Sequence, residues 1–255
     1  MKGMWIPSLL ARVLDGSLTY AEMIGFILWR IRRTKPPLRI EGLLFKDVDR
    51  VMWGLILNIF IKREYTSRGF NIGPNDIVID IGAHRGVFAG FASNRTRNAV
   101  VAIEPDPENS EQLERFILDN KIDNIELKKM AVDLNSGETT LYKAQSSSRH
   151  TITGIDQVSG KQLAETVRVK AIALSDLFST FETIDFLKMD CEGAEIYILV
   201  NSEDETLRKV KCLVAEVHWI GRVNSPDLLR KRLERIYNNI VLVKTSSHMG
   251  LLYAS

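Results

Sequence analysis

Carboxylates at the ends of apolar runs carry most of the chemistry this sequence can do. Asp80 closes the run Ile77, Val78 and Ile79 and is followed by Gly82 and Gly86. Glu104 ends a second run, Ala99 to Ile103, 22 residues beyond Gly82. A third run, Ile184 to Met189, gives way to Asp190, Glu192, Gly193 and Glu195, and a fourth, Cys212 to Val217, carries Glu216 and leads to His218 and Trp219. Acids so placed can accept hydrogen bonds from hydroxyl or ammonium groups, take a proton from a nucleophile, or hold a cation. A glycine turn directly after a strand lets a backbone approach a ligand closely. The first of these runs therefore points to a nucleotide or nucleoside.

The glycine spacing narrows the choice. A dinucleotide fingerprint starting at Gly82 needs glycines at positions 84 and 87, where this chain has His84 and Val87. That argues against a pyrophosphate loop, and with it against an NAD-dependent oxidoreductase. Asp80 with Gly82 and Gly86 looks like the S-adenosylmethionine loop of class I methyltransferases, in which an acid meets an ammonium group. Glu104, at the next strand end, can accept from both hydroxyls of a ribose.

The elements that must position these residues alternate between strand and helix patterns from Asp76 onward, which implies a parallel sheet covered by helices on both faces. A helix is expected from about Val87 to Arg97. Asp106 caps another, with Pro107 at its first position and Leu113, Phe116 and Ile117 facing inward. A third strand is expected over Ile125 to Val132. Gly137 to Ala144 and Val167 to Ile172 read as a hairpin, and the polar segment Ser146 to Gly160, with His150 and Thr151, as a candidate lid over an acceptor. Ser225 and Pro226 start a helix. Ile240 to Lys244 and Gly250 to Ala254 are the last strands.

Ahead of this pattern lie helices. Thr19 and Glu22 form a capping box, Ile24, Ile27, Leu28 and Ile31 recur at helical spacing, and Pro36 and Pro37 end the run. Asp47 is expected to cap a second helix carrying Val48, Met52, Leu55, Ile56 and Ile59. Residues 1 to 70 carry 12 Lys and Arg against 6 Asp and Glu, and the remainder 22 against 26. Arg30, Arg32, Arg33 and Lys35 beside Trp29 and Phe26 suit an anionic membrane surface or RNA phosphates, although a helical cover with solvated charges accounts for them as well. The expected division is a helical extension, 1–70, and a cofactor-binding domain, 71–255. Two cysteines, Cys191 and Cys212, do not make a disulfide framework or a zinc site. No secretory signal is apparent, and Val51 to Ile61 is too short to span a bilayer. A cytoplasmic protein is expected.

Taken together, Asp80, Gly82 and Gly86, the pair Glu104 and Pro105, the run Lys188, Asp190, Glu192, Gly193, Ala194 and Glu195, and Glu216 with His218 resemble the FkbM-like methyltransferases. Arg63, Glu64, Tyr65 and Thr66, then Gly69 and Phe70, look like the usual approach to their first strand. The resemblance covers roughly residues 60 to 220. It implies an α/β, Rossmann-like class I methyltransferase sheet, mostly parallel with a terminal antiparallel hairpin. It also implies S-adenosyl-L-methionine as cofactor and O-methylation of a small molecule or sugar/glycan precursor.

The residues expected to hold the cofactor are Asp80, Gly82, Ala83, His84, Gly86, Glu104, Pro105, Ala131 and Asp190. Methyl transfer needs an aligned acceptor and removal of its proton. Asp190 is the first candidate for that role, His218 the second, and Glu192 is adjacent. Asp190, Glu192, Glu216 and His218 can also hold a hard divalent cation, but no metal ligand is assigned. Cys191 is expected to pack on the opposite face, and Trp219 to stack on an acceptor or close the core. The alternatives are an RNA methyltransferase using the basic front, an NAD-dependent oxidoreductase, and a non-catalytic adenosyl-binding or membrane scaffold.

Overall fold

The computed structural model describes residues 6–31, 37–156, 159–219 and 225–255, with the side chains of Arg30 and Ile31 left out. The basic cluster Arg30, Arg32, Arg33 and Lys35 and the breaker Pro36 lie outside the described side chains. The front of the chain folds as α1 (Ile6–Leu14) and α2 (Tyr20–Ile31), followed by the hairpin β1 (Leu38–Ile40) and β2 (Leu43–Phe45), and α3 (Arg50–Ile56). The capping box before α2 forms: Glu22 N donates to Thr19 Oγ1 at 3.1 Å and Thr19 N to Glu22 Oε2 at 2.9 Å. The cap of α3 is Asp49 rather than Asp47. Asp49 is extended and accepts from Met52 N at 2.8 Å, whereas Asp47 sits in a left-handed turn with φ 42°.

α3 runs on into a π-helical turn, Leu57–Ile61, closed by Lys62 N donating to Leu57 O at 3.0 Å. Glu41 ties this region to the rest of the chain. It accepts from Arg63 at 2.6 Å and from Arg95 at 2.8 Å, and the Arg95 guanidinium lies 3.3 Å above the centre of the Phe91 ring. Trp29 and Trp53 stack 4.4 Å apart.

The remaining elements are β3 (Val78–Ile81), α4 (Val87–Ser93), β4 (Val100–Ile103), α5 (Pro107–Asn120), β5 (Ile125–Lys128), β6 (Ala131–Asp133), β7 (Gly137–Tyr142) and β8 (Thr166–Ala173). They continue as α6 (Leu174–Leu177), β9 (Ile184–Met189), α7 (Glu195–Asn201), α8 (Asp204–Arg208), β10 (Val210–His218), α9 (Pro226–Leu233), β11 (Ile240–Lys244) and β12 (Met249–Ala254). Seven strands form the central sheet in the order β11-β12-β10-β9-β3-β4-β5. β12 runs antiparallel to both its neighbours, and the pairings from β10 to β5 are parallel. This is the class I methyltransferase sheet that the resemblance implied.

Alternation within the buried strands builds two cores, because successive side chains point to opposite faces. Val78, Val100 and Ala102 face α4, α5 and the front helices, while Ile79, Ile81, Val101 and Ile103 face α7 to α9. The expected third strand is two strands. β5 stays in the main sheet, and β6 leaves it to pair with β8, which also forms the expected hairpin with β7. α4 ends at Ser93, short of Arg97. Asp106 caps α5 and Ser225 caps α9, as expected.

Candidate functional site

A cleft of about 1120 Å³, counting its open mouth, lies at the carboxyl ends of β3, β4 and β9. Gly82, Ala83, His84, Glu104, Pro105, Ala131, Asp190 and Glu192 line it, as do Tyr65 and Glu216. Gly82 on this wall and Gly86 in the turn after it serve the protein's own packing first. Gly82 has φ 75°, and a Cβ there would stand 1.8 Å from the Asp190 carbonyl oxygen. Gly86 has φ 84°, and a Cβ would meet Leu113 Cδ1 at 2.3 Å. The close approach that demanded glycine is thus β9 against β3 and α5 against α4.

Two expected cofactor residues do not reach the cleft. Gly86 lies beneath it against α5. Asp80 is sealed in the sheet beside Lys188, whose Nζ is 3.0 Å from Asp80 Oδ1 and donates to Gly82 O at 2.7 Å. The ammonium group that Asp80 meets belongs to the protein. Burial opposes charge on Lys188, yet Asp80 and Asp190 outweigh it and raise the lysine's pKa.

Glu104 is buried on the cleft wall. Its Oε2 accepts from His84 N at 2.7 Å and its Oε1 from Asp106 N at 2.9 Å, which leaves further lone pairs for a ligand. Burial pushes its pKa up to about 7 against those hydrogen bonds. His84 takes a left-handed conformation, φ 52°, and its Nε2 is 3.0 Å from Ser147 Oγ. Burial and the neighbouring Arg85 depress its pKa to about 3, so the ring is neutral. The segment expected as a lid forms a wall here, with Ser147, Ser148, His150, Thr151 and Ile152 on the cleft. It is tied in by Asn109 Nδ2 donating to Ser147 O at 3.1 Å.

An acidic group surrounds His218. Its Nδ1 is 3.5 Å from Glu195 Oε1, and its Nε2 is 3.6 Å from Glu192 Oε2 and 3.8 Å from Glu216 Oε1. Burial works against the imidazolium, but Glu195, Glu192 and Asp190 overcome it and hold the pKa up at about 10. Glu195 is itself anchored by Cys191 N at 2.6 Å and Gly193 N at 3.0 Å. Asp190, Glu192 and His218 could bring one ligand atom each within 4.8 Å of one another, although the imidazolium already supplies a positive charge there. His218 is off the cleft wall, and the acids around it favour its charged form, which is unsuited to a base. Cys191 packs on the second core and also touches the cleft. Trp219 packs on that core too, with Nε1 donating to Ser247 O at 3.0 Å.

Sequence reasoning gave no site role to Tyr65. Its hydroxyl lies 3.0 Å from Glu216 Oε2 and 3.3 Å from Asp190 Oδ2. Leu55, Asn58 and Ile59, from the end of α3 and the π turn, continue the same wall. Asp190 Oδ1 has no hydrogen-bond partner although water cannot reach it. Burial, foremost, raises the pKa of Asp190, against the attraction of Lys188.

Among the described residues no helix is long and apolar enough to cross a membrane. The chain is 26% identical over 234 residues to the AMB antimetabolite synthetase AmbE of Pseudomonas aeruginosa. That match covers 76% of this chain but spans only 11% of AmbE. It is 25% identical over 191 residues to the 31-O-demethyl-FK506 methyltransferase FkbM of Streptomyces tacrolimicus, covering 64% of this chain and 74% of that protein. A solved SAM-dependent methyltransferase from Aquifex aeolicus is 14% identical, with 81% of this chain and 93% of that one covered at a TM-score of 0.42. Residues 80–236, more than half of the chain, match the methyltransferase FkbM domain model. The chain belongs to the FkbM-domain methyltransferase family.

Proposed function

We propose that the cleft binds S-adenosylmethionine and that the chain methylates a hydroxyl oxygen of a small molecule or sugar/glycan precursor. The observation that carries this reading is Asp190. The residue lines the cleft together with Glu104, is only partly buried, and keeps one carboxylate oxygen, Oδ1, without a hydrogen-bond partner. The residues fit such a cofactor. Glu104 offers its remaining lone pairs to ribose hydroxyls, and Ile103, Ala131, Val132 and Ile152 give an apolar slot for a flat base. The bound cofactor supplies a methyl group already activated on a sulfonium.

The chain's own work is then to orient the acceptor and hold its proton. Asp190 accepts the hydroxyl hydrogen and takes the proton as the oxygen attacks. Burial, by raising its pKa, makes it a stronger base than an exposed aspartate. Tyr65 holds Asp190 and Glu216 in place, and His218 neutralises the acids behind them. Lys188 and Asp80 support the cofactor turn from beneath. In this reading the front, 1–70, is an extension that walls the acceptor side of a 71–255 catalytic domain. The FkbM of Streptomyces tacrolimicus, by its name a methyltransferase of 31-O-demethyl-FK506, favours oxygen as the target.

Calorimetric titration with S-adenosylmethionine, S-adenosylhomocysteine and NAD, with and without Mg²⁺, tests the reading. Binding of both adenosyl ligands and not NAD is expected. NAD binding alone would overturn it.

A further inference from the structure

The apolar surface that the fold leaves open is concentrated at one place. Among the described residues, seven of the eleven exposed large hydrophobic side chains lie on α1 and α2. They are Ile6, Leu10 and Leu14 on α1, and Tyr20, Ile24, Ile27 and Leu28 on α2. Single exposed apolar residues are ordinary on any protein, whereas contiguous stripes mark a contact surface. Spacings of three and four residues put each set along one line of its helix. Leu9, Phe26 and Trp29, on the other sides of the same helices, are buried in the core. Packing on the catalytic core therefore accounts for the inner edges of α1 and α2 and leaves the outer edges unexplained.

Charge selects the occupant. Residues 1 to 70 hold a surplus of six positive charges, and from Met23 to Ile40 the sequence contains Arg30, Arg32, Arg33, Lys35 and Arg39 with no acid. A second copy of the chain would bring the same positive surplus against itself. Nucleic acid would meet a mostly Ile and Leu face whose one exposed aromatic among the described residues, Tyr20, cannot stack successive bases. An anionic bilayer matches both properties. Its headgroup boundary accepts aliphatic side chains, and its surface potential attracts basic segments. We infer that the outer face of α1 and α2 docks on an anionic membrane surface. Helices of 9 and 12 residues lie in that interface rather than crossing it. The docking is independent of the acceptor reading above, since it uses no residue of the cleft.

The test is co-sedimentation of the full chain with vesicles of phosphatidylcholine alone or with about one-third phosphatidylglycerol. Leu10→Glu and Ile24→Glu serve as variants. Both positions are exposed, so thermal melting should match the wild type. The wild type is expected to pellet with anionic vesicles and not with neutral ones, and to lose about tenfold in binding when salt is raised from ~0.1 M to ~0.5 M. Each variant should lose about tenfold at low salt. Absence of wild-type binding, equal binding to neutral vesicles, or unchanged binding in both variants overturns the inference. So does a wild-type dimer that the variants dissociate, or a single-stranded RNA that binds and displaces the vesicles.

Discussion

Lys188 and Asp80 are register partners on neighbouring parallel strands, and their charged ends meet 3.0 Å apart with almost no access to water. Removing one partner of such a pair strands the other in a low-dielectric interior. Asp80→Ala or Lys188→Ala is expected to lower unfolding stability by about 3–5 kcal/mol. Asp80→Leu combined with Lys188→Met should recover much of that loss. Urea unfolding of the three variants checks this, and additive losses in the double variant would refute it.

Asp190→Asn and Glu104→Ala should separate chemistry from binding. The first is expected to keep the cofactor's Kd and lower kcat about 10²- to 10⁴-fold. The second removes a buried hydrogen-bond acceptor and should weaken cofactor binding about ten- to a hundredfold. Calorimetry beside single-turnover rates reads both effects. Equal cofactor affinity in the two variants would defeat the assignment.

Tyr65 has one proton to donate and two carboxylates within reach. Its hydrogen bond works to lower the pKa of Asp190, whose largest influence, burial, raises it. Tyr65→Phe keeps the ring packed edge-on to Phe88 and removes that bond. The ascending limb of the rate against pH is expected to move to higher pH. An unmoved limb with a uniformly lower rate would reduce Tyr65 to packing.

His218 gives a signed pH dependence of stability. Burial favours its neutral form, but the surrounding acids hold its pKa at about 10 against an ordinary 6.5. The folded state therefore retains a proton that the unfolded chain releases between those values. The stabilisation is complete below pH 6.5 and is lost as pH rises toward 10. Melting temperatures of the wild type and His218→Gln should converge over that window. A gap that is constant with pH would contradict the charged histidine.

Much of this architecture is written locally. The apolar runs ending at Asp80, Glu104 and Asp190 are strand signals, and the Asp106–Pro107 and Ser225–Pro226 caps need no tertiary information. Residues whose meaning depends on a distant chain were opaque. Tyr65 meets Asp190 across 125 residues of chain, a contact that no local pattern announces. The need for glycine at position 82 comes from the Asp190 carbonyl, far along the chain. His218 reads as a base until the carboxylates around it are counted. Asp47 and Asp49 are equivalent as letters, and the left-handed turn at Asp47 decides which one caps α3.

β12 follows both β10 and β11 in sequence, yet it lies between them in the sheet. During synthesis, β10 and β11 emerge with facing edges unpaired until Met249–Ala254 arrives to fill the gap between them. A ribosome pausing before that segment holds out two hydrogen-bonding edges, the template on which chains aggregate. This late insertion is thus a point of kinetic vulnerability, where chaperone demand should concentrate.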